Sequence, residues 1–452
     1  MANILIVDAN TVYHIGNAAL LESTIEQLKT QFPEATITIL AFDPDSIAKT
    51  FPEYKVLECL WAKPFSSHSF IGKIKWIFLE GTWAVINAIN CFISRAMKFS
   101  IKPSRYTFSP AKRAVMQAYT EADIVVSISG EMLNQLFWKR LPMFLYGYWL
   151  GHIMGKTVAI FPQSISYFEN IVVRKAVRYV LNKCDLVLPR DQISLQNVKK
   201  LGIKNSKVYL VPDVAINQPY IESEKAIRLL KEEGINFDKR PLVGITISKF
   251  NEYDYQRYIP VVKELCHFIV TNIKGMVVFV SPNMPYKQEI SDLSLAQRLH
   301  QELYCKDNVK LLTKLYRPSE FKSMLGELDL FISTRMHVSI LSTMISTPTI
   351  TINSQPKLRG YMEMIAQEEW ACDVNNFTIE KGKQMVRKIL AQNVRVRESL
   401  VKARIEVGRE ALMATKLLKD IYDQKLKKRN DYSHVSQVVR STAKGTVASC
   451  EL

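Results

Sequence analysis

The chain has 452 residues, 48% of them hydrophobic and 23% charged, and its 60 Lys and Arg against 43 Asp and Glu give a net charge of +17. That composition excludes a disordered or fibrous chain and supplies apolar material for large cores, so two domains, or three, are expected. The positive balance favours anionic partners: phosphorylated small molecules, nucleic acid or an acidic membrane face.

The opening MANILIVDAN lacks a basic n-region and a cleavage site, and Ile4–Val7 is a continuous apolar run. It reads as a strand buried on both faces and not as a signal peptide. A loop around Gly16-Asn17 leads into the helical spacing of Ala19, Leu20, Ile25 and Leu28. Thr36–Phe42, Ile124–Ile128, Thr157–Phe161, Leu186–Leu188 and Val208–Val211 are further strand candidates with helical stretches between several of them. Strands alternating with helices predict a parallel sheet covered on both faces. Residues 220–240 read as a charged linker helix that stops at Pro241. The alternation then restarts with Leu242–Ser248, Met276–Ser281, Val309–Leu312, Leu330–Ser333 and Thr349–Ile352. The expected architecture is therefore α/β: a Rossmann-like domain over 1–219 and a second over 241–392, facing one another across a cleft. A long charged helix over 393–428 and a flexible tail over 429–452 close the chain.

Residues 60–110 depart from this plan. FIGKIKWIFLEGTWAVINAINCFISRAMKF at 70–99, and FWKRLPMFLYGYW at 137–149, combine aromatics with flanking Lys and Arg. Two readings stand: an interfacial amphipathic helix drawn to anionic lipid, or a buried helical insertion with basic ends. No apolar run reaches the 18 residues that a spanning helix needs. The seven cysteines, Cys59, Cys91, Cys184, Cys266, Cys305, Cys372 and Cys450, are scattered and form no C-x-x-C pair. They read as free thiols of a reducing compartment, and a cytoplasmic protein is expected.

Several motifs carry chemistry. Gly16-Asn17 lies between the first strand and helix, where anions bind in open α/β sheets, but it matches neither G-x-G-x-x-G nor a P-loop and reads first as a tight turn. Asp43-Pro44-Asp45 has the look of a metal-holding D-x-D, yet its place after a strand beside Pro favours a turn. Arg190, in Pro189-Arg190-Asp191, leaves the end of a strand toward the expected cleft with a fork suited to carboxylate or phosphate, and Asp191 is placed to cap the following helix. The densest group is Ser333-Thr334-Arg335-Met336-His337, after one strand and opening a helix, with Lys357 following the next strand. Arg335, His337 and Lys357 together make an anion site with a proton-transfer group. The other histidines show no ligand spacing, so no metal is expected, and no G-x-S-x-G nucleophile elbow exists.

Taken in order, HIGNAALLEST (14–24), FPQSISYF (161–168), VLPRDQIS with LG and VPDVA (187–215), and STRMHVSI with Pro348 and Lys357 resemble the polysaccharide pyruvyl transferase family. Asn17, Ser129-Gly130 and Ser166-Tyr167 stand where many members have Asp, Gly-Gly and Gly-Pro. The resemblance implies a glycosyltransferase-B-like fold, phosphoenolpyruvate as donor substrate with no further cofactor, and a sugar acceptor that receives pyruvate as a ketal. It implies His337 as general acid and Arg335, Lys357 and Arg190 as cations for the donor, with Gly16, Asn17, Gln163, Ser164 and Asp213 lining the cleft or acceptor side. The acceptor is expected on a polysaccharide or a lipid-linked repeat, with the 60–110 insertion docking the protein on the inner membrane face. Two other readings stay open: a nucleotide-sugar glycosyltransferase of the same fold, and a non-catalytic basic protein binding membrane or nucleic acid. No RNP motif or zinc finger supports nucleic acid as a partner.

Overall fold

The computed structural model describes residues 1–61, 70–96, 109–204, 207–248, 252–285, 291–354 and 356–428. The first sheet is built from β1 (Asn3–Ala9), β2 (Thr36–Ala41), β3 (Lys55–Glu58), β4 (Ile124–Ser127), β5 (Thr157–Gln163) and β6 (Leu186–Pro189), in the order β3-β2-β1-β4-β5-β6. The second contains β7 (Leu242–Ile245), β8 (Met276–Phe279), β9 (Val309–Leu311), β10 (Leu330–Ser333), β11 (Thr349–Asn353) and β12 (Ala371–Asp373), in the order β12-β11-β10-β7-β8-β9. Every pairing is parallel. Both sheets have the doubly wound Rossmann order, so the α/β expectation holds in both halves.

The unbroken apolar runs follow from this topology. Helices cover each sheet on two faces, so successive residues of β1 are buried whichever way they point. Ile4 and Ile6 enter one core with Ile124 and Val126, while Leu5 and Val7 enter the other with Val125 and Val187. The first of these cores runs on without a break into the second domain, to Val243, Phe331 and Ile350.

Two short edge strands, β3 and β12, escape the sequence reading, since each is only three or four residues and partly exposed. Residues 208–211 are not a full strand. They lie beside β6 through the Val187–Val208 bridge and the bonds Tyr209 N–Val187 O and Val211 N–Pro189 O. Asp43 does not end a turn; Pro44 takes the first position of the Pro44–Thr50 helix, where its missing N–H costs nothing, and Asp43 accepts from Thr11 Oγ1 at 2.8 Å. The C-terminal helix is interrupted: Asn393–Ala411 is followed, after Leu412, by a second segment over 413–428. That segment returns to the first domain, packing Tyr422 edge-on to Phe32 at 5.9 Å and pairing Lys425 with Asp185 at 2.7 Å. The expected tail at 429–452 lies outside the described residues.

The domains are joined by buried polar contacts. The Glu22 carboxylate accepts from Ser319 N (2.9 Å), Ser319 Oγ (3.0 Å) and the Gln218 amide, and Lys322 Nζ donates to Gln218 O at 2.6 Å. All four residues are buried.

One buried acid lies at the end of β1. Asp8 adopts a left-handed φ of 68° where the β1–β2 register shifts, and its carboxylate accepts from Tyr148 OH (2.6 Å) and Ser127 Oγ (3.0 Å). Burial, opposed by those two bonds, pushes its pKa up from 3.8 to about 6. The folded state therefore holds the proton more tightly than the unfolded chain, so stability falls as pH rises from about 4 through 6. Asp8→Asn keeps both acceptor bonds and tolerates the left-handed backbone. It is expected to stabilise by about 3 kcal/mol above pH 6 and to lose that advantage near pH 3.5, as read from denaturant melts at the two pH values.

Candidate active site

Each sheet reverses its strand order once, between β1 and β4 in the first and between β7 and β10 in the second. At such a reversal the loops at the carboxyl ends of the strands part and leave a crevice. Here the two crevices meet. The loop after β1 bonds to the loop beyond β8 through Ile15 N–Pro282 O and Met284 N–Tyr13 O, both 2.9 Å. Glu131 follows β4, Arg190 follows β6, Ser248 lies beyond β7, Arg335 and His337 follow β10, and Lys357 follows β11. Five strand ends from two sheets thus deliver six side chains to one place.

The centre is an ion cluster. The Arg190 side chain, only 1% exposed, donates from Nη1 to Asp213 Oδ2 (2.6 Å), from Nη2 to Glu131 Oε1 (2.9 Å) and from Nε to Ser164 Oγ (2.8 Å). Burial works against its charge, but Asp213, Glu131 and Asp191 outweigh it, so the guanidinium stays ionised. Lys357 Nζ reaches Glu131 Oε1 from the other domain at 2.5 Å. Burial alone would raise the Glu131 carboxyl; Arg190, Lys357 and His337 together hold it below the ordinary glutamate value. Asp213, also opposed by burial, is held well below the usual carboxylate range by His337 and Arg190. Asp191 caps the Gln192–Lys200 helix by accepting from Ser194 N at 2.7 Å, as its position suggested.

His337 lies on the first turn of the Met336–Thr343 helix, between the two domains. Its Nε2 is buried without a hydrogen-bond partner, 3.6 Å from Asp213 Oδ2. Its other ring nitrogen lies over Gly16, where a Cβ would stand 2.8 Å from Nδ1 and 3.0 Å from the His337 Cβ. Gly16 is therefore required by a close approach: the first helix of one domain leaves just enough room for the imidazole of the other. Asn17, beside it, is half-buried.

Arg335 forms a second group on the same helix end. Its Nε donates to Ser248 Oγ (2.8 Å) and Asp292 Oδ2 (3.1 Å), and its Nη2 to Asp292 Oδ1 (2.7 Å). With its amide oriented to satisfy both neighbours, Asn283 donates to His14 Nδ1 (2.7 Å) and accepts from Arg335 Nη2 (2.8 Å), linking the first domain to this arginine. Burial lifts the Asp292 carboxyl in spite of the adjacent charge. Arg335 and Lys357 keep 38% and 37% of their side chains exposed and can reach a ligand; Arg190 is enclosed.

Arg190, His337 and Lys357, singled out in the sequence, thus come together, and Arg335 stands beside them with its own partners. Ser164 and Asp213 belong to the Arg190 network. Gln163 does not reach the cleft: it is fully buried and its amide donates to Ser127 Oγ and Ile128 O, pinning the end of β4. Sequence reasoning missed Glu131 and Asp292, the carboxylates that hold the cations. Glu131 carried a usable signal, since it follows a buried strand and Ser129-Gly130 just as Arg190 follows β6. Among the described residues no group of three or more His, Cys, Asp or Glu is placed to hold a metal ion.

Two Rossmann-like domains with a polar cleft at their facing strand ends, and a C-terminal helix returning to the first, define a glycosyltransferase-B-like fold. UDP-GlcNAc 2-epimerase from Methanocaldococcus jannaschii superposes with a TM-score of 0.55 at 13% identity, covering 86% of this chain and 93% of that one. Anabaena HepE in complex with UDP-glucose superposes with a TM-score of 0.55 at 13% identity, covering 95% and 100%. The sequence profile of the polysaccharide pyruvyl transferases matches residues 14–356, from the His14 loop to the residue before Lys357, and the chain belongs to that family. The amylovoran biosynthesis protein AmsJ of Erwinia amylovora is 21% identical over 440 residues, covering 92% of this chain and 98% of that protein.

Gly16→Ala places a methyl where the His337 ring lies. The ring must shift by a sizeable fraction of an ångström, and misplacement on that scale costs about 100-fold in rate. We expect transferase turnover to fall by that order while the melting temperature changes by only a few degrees, measured on the same preparation.

Proposed function

We propose that this protein transfers the pyruvyl group of phosphoenolpyruvate to two hydroxyls of a sugar in a polysaccharide or its lipid-linked repeat, forming a pyruvate ketal and releasing phosphate. The observation that carries this reading is the His337 ring, held between Asp213, 3.6 Å from its Nε2, and Gly16, beside the reachable cations Lys357 and Arg335. In this reading a protonated His337 gives its proton to the donor's methylene carbon, and the double-bond electrons form the new C–H bond. The adjacent carbon becomes oxocarbenium-like, and a sugar hydroxyl adds to it with loss of its proton. The C–O bond to phosphate then breaks, its electron pair leaving with the phosphate. A second hydroxyl adds, loses its proton and closes the ketal ring. Of the two hydroxyl protons released, one replaces that given by His337 and the other leaves with phosphate.

Lys357 and Arg335 would take the donor's phosphate and carboxylate, and each must exchange a carboxylate partner for the ligand. Arg190 holds Glu131 and Asp213 in place and acts through them. Asp213, held ionised, stands 3.6 Å from Nε2 and faces the ring assigned to the first step. Phosphoenolpyruvate is a cytoplasmic metabolite, so the reading puts the reaction on the cytoplasmic side, with a lipid-linked acceptor presented at the membrane.

The test pairs binding with turnover. Phosphoenolpyruvate at about 100 times its dissociation constant stabilises a folded protein by roughly 2.7 kcal/mol, a visible thermal shift. That shift is expected in wild type and His337→Gln and lost in Lys357→Ala and Arg335→Ala. His337→Gln is expected to lower phosphate release by about 10²–10³-fold. Near-normal turnover in His337→Gln, or stabilisation by a nucleotide sugar with none by phosphoenolpyruvate, would overturn the reading.

A further inference from the structure

The helix Phe70–Ala96 is attached to the first domain by one side only. Trp83 packs against Trp61 and Tyr146 at 5.8 and 6.5 Å between ring centroids, the Asn87 amide donates to Tyr146 OH at 3.1 Å, and Ala88 and Cys91 are buried. Those positions recur at the three- and four-residue spacing of one helical stripe. The opposite side carries Phe78, Val85, Ile89, Phe92 and Ile93, all exposed, with Phe78 at 71% and Phe92 at 66%. So wide an apolar face in water marks an interaction surface. The alternative of a buried insertion does not hold for this face.

The face does not stand alone. The helix Phe70–Ala96 packs on Leu141–Ile153, which also supports Ile171–Leu181. Leu141–Ile153 is entered through a turn that exposes Leu136 (80%), Phe137 and Trp138, and Ile171 and Val172 are exposed at the start of the third helix. Lys139, Arg140, Lys175 and Arg178 are exposed among them. Both apolar tips follow loops that carry residues of the site: Glu131 precedes the Leu136 turn after β4, and Ser164 precedes the helix start at Ile171 after β5. The surface is thus tied to the cleft side of the first sheet.

The geometry points to an anionic lipid bilayer as the occupant: the side of the Phe70–Ala96 helix bearing Phe78, Val85, Ile89 and Phe92, with the Leu136–Trp138 and Ile171–Val172 tips, seats in the headgroup region, and the basic residues between them meet acidic headgroups. Apolar side chains with interleaved Lys and Arg are the composition that such an interface selects. Among the described residues no helix is long and apolar enough to cross a membrane, so contact here is with the surface. Charge argues against a second copy, because the +17 chain would bring Lys139, Arg140, Lys175 and Arg178 against their equivalents. The bilayer then lies beside the loops of Glu131 and Ser164, where a lipid-linked acceptor would arrive.

Flotation of the full chain with vesicles tests this. Wild type is expected to float with phosphatidylcholine vesicles containing phosphatidylglycerol, to float less at 0.5 M salt, and to stay unbound with phosphatidylcholine alone. The exposed-site pair Phe92→Ser and Leu136→Ser should weaken binding about tenfold or more while leaving the melting temperature and turnover of a water-soluble acceptor unchanged. His337→Gln should float as wild type, so that loss of catalysis and loss of docking are read separately. Absence of flotation, equal flotation with uncharged vesicles, full binding by the double variant, or a lipid-free dimer in light scattering that the double variant converts to monomer would each overturn the proposal.

Discussion

Arg190 is taken out of water with its charge intact, and a buried cation is tolerated only if its fork is matched by well-placed acceptors. Asp213, Glu131 and Ser164 supply them, each from a different loop of the first domain. Removing either carboxylate would leave charge under-compensated in an enclosed site, and removing Ser164 would leave a buried N–H without an acceptor, so the loops after β4, β5 and β6 are held to one another by a requirement stronger than packing. Once Glu131 is fixed, it presents its carboxylate to Lys357 of the second domain, and Asp213 stands beside His337. The position of the His337 imidazole thus depends on a guanidinium that is itself enclosed.

The arrangement is close to neutral. Arg190, Lys357 and Arg335 are matched by Glu131, Asp213 and Asp292, which explains how three cations coexist in a narrow space before any ligand arrives. A sequence as basic as this one suggests a site poised by excess positive charge. The structure distributes the charge otherwise: cations are paired in the cleft, while exposed Lys and Arg cluster beside the apolar tips of the first domain.

Much of the fold was legible because parallel strands covered on both faces write themselves as continuous apolar runs, and nearly all the long ones were found. The edge strands β3 and β12 were hidden by their brevity, and 208–211 looked like a strand because its residues lie along β6 without completing a ladder. The site was legible where one rule applied, that side chains just past a parallel strand enter the cleft. It located Arg190, Arg335, His337 and Lys357. The same rule covers Glu131, whose carboxylate has no motif of its own beside Ser129-Gly130, and Asp292 gave no signal because its proximity to Arg335 arises only when β8 and β10 join one sheet. Gln163 shows the rule's limit: a residue at a strand end can turn back to satisfy buried backbone.

The chain passes between the domains twice, once through residues 218–240 and again where the 413–428 segment leaves the second domain for the first. The passages are fastened to each other just before each begins, since Asn217 Nδ2 donates to Gly408 O at 2.8 Å. Glu22, Gln218, Lys322 and Ser319 form the buried bonds next to them, whereas near His337 the domains meet through a few backbone bonds, the Gly16 contact and the more exposed Lys357–Glu131 pair. A single tether permits swivel and twist alike. Two tethers fastened together remove the twist, so that any parting of the imidazole from the glycine it rests on would have to turn about the line between them.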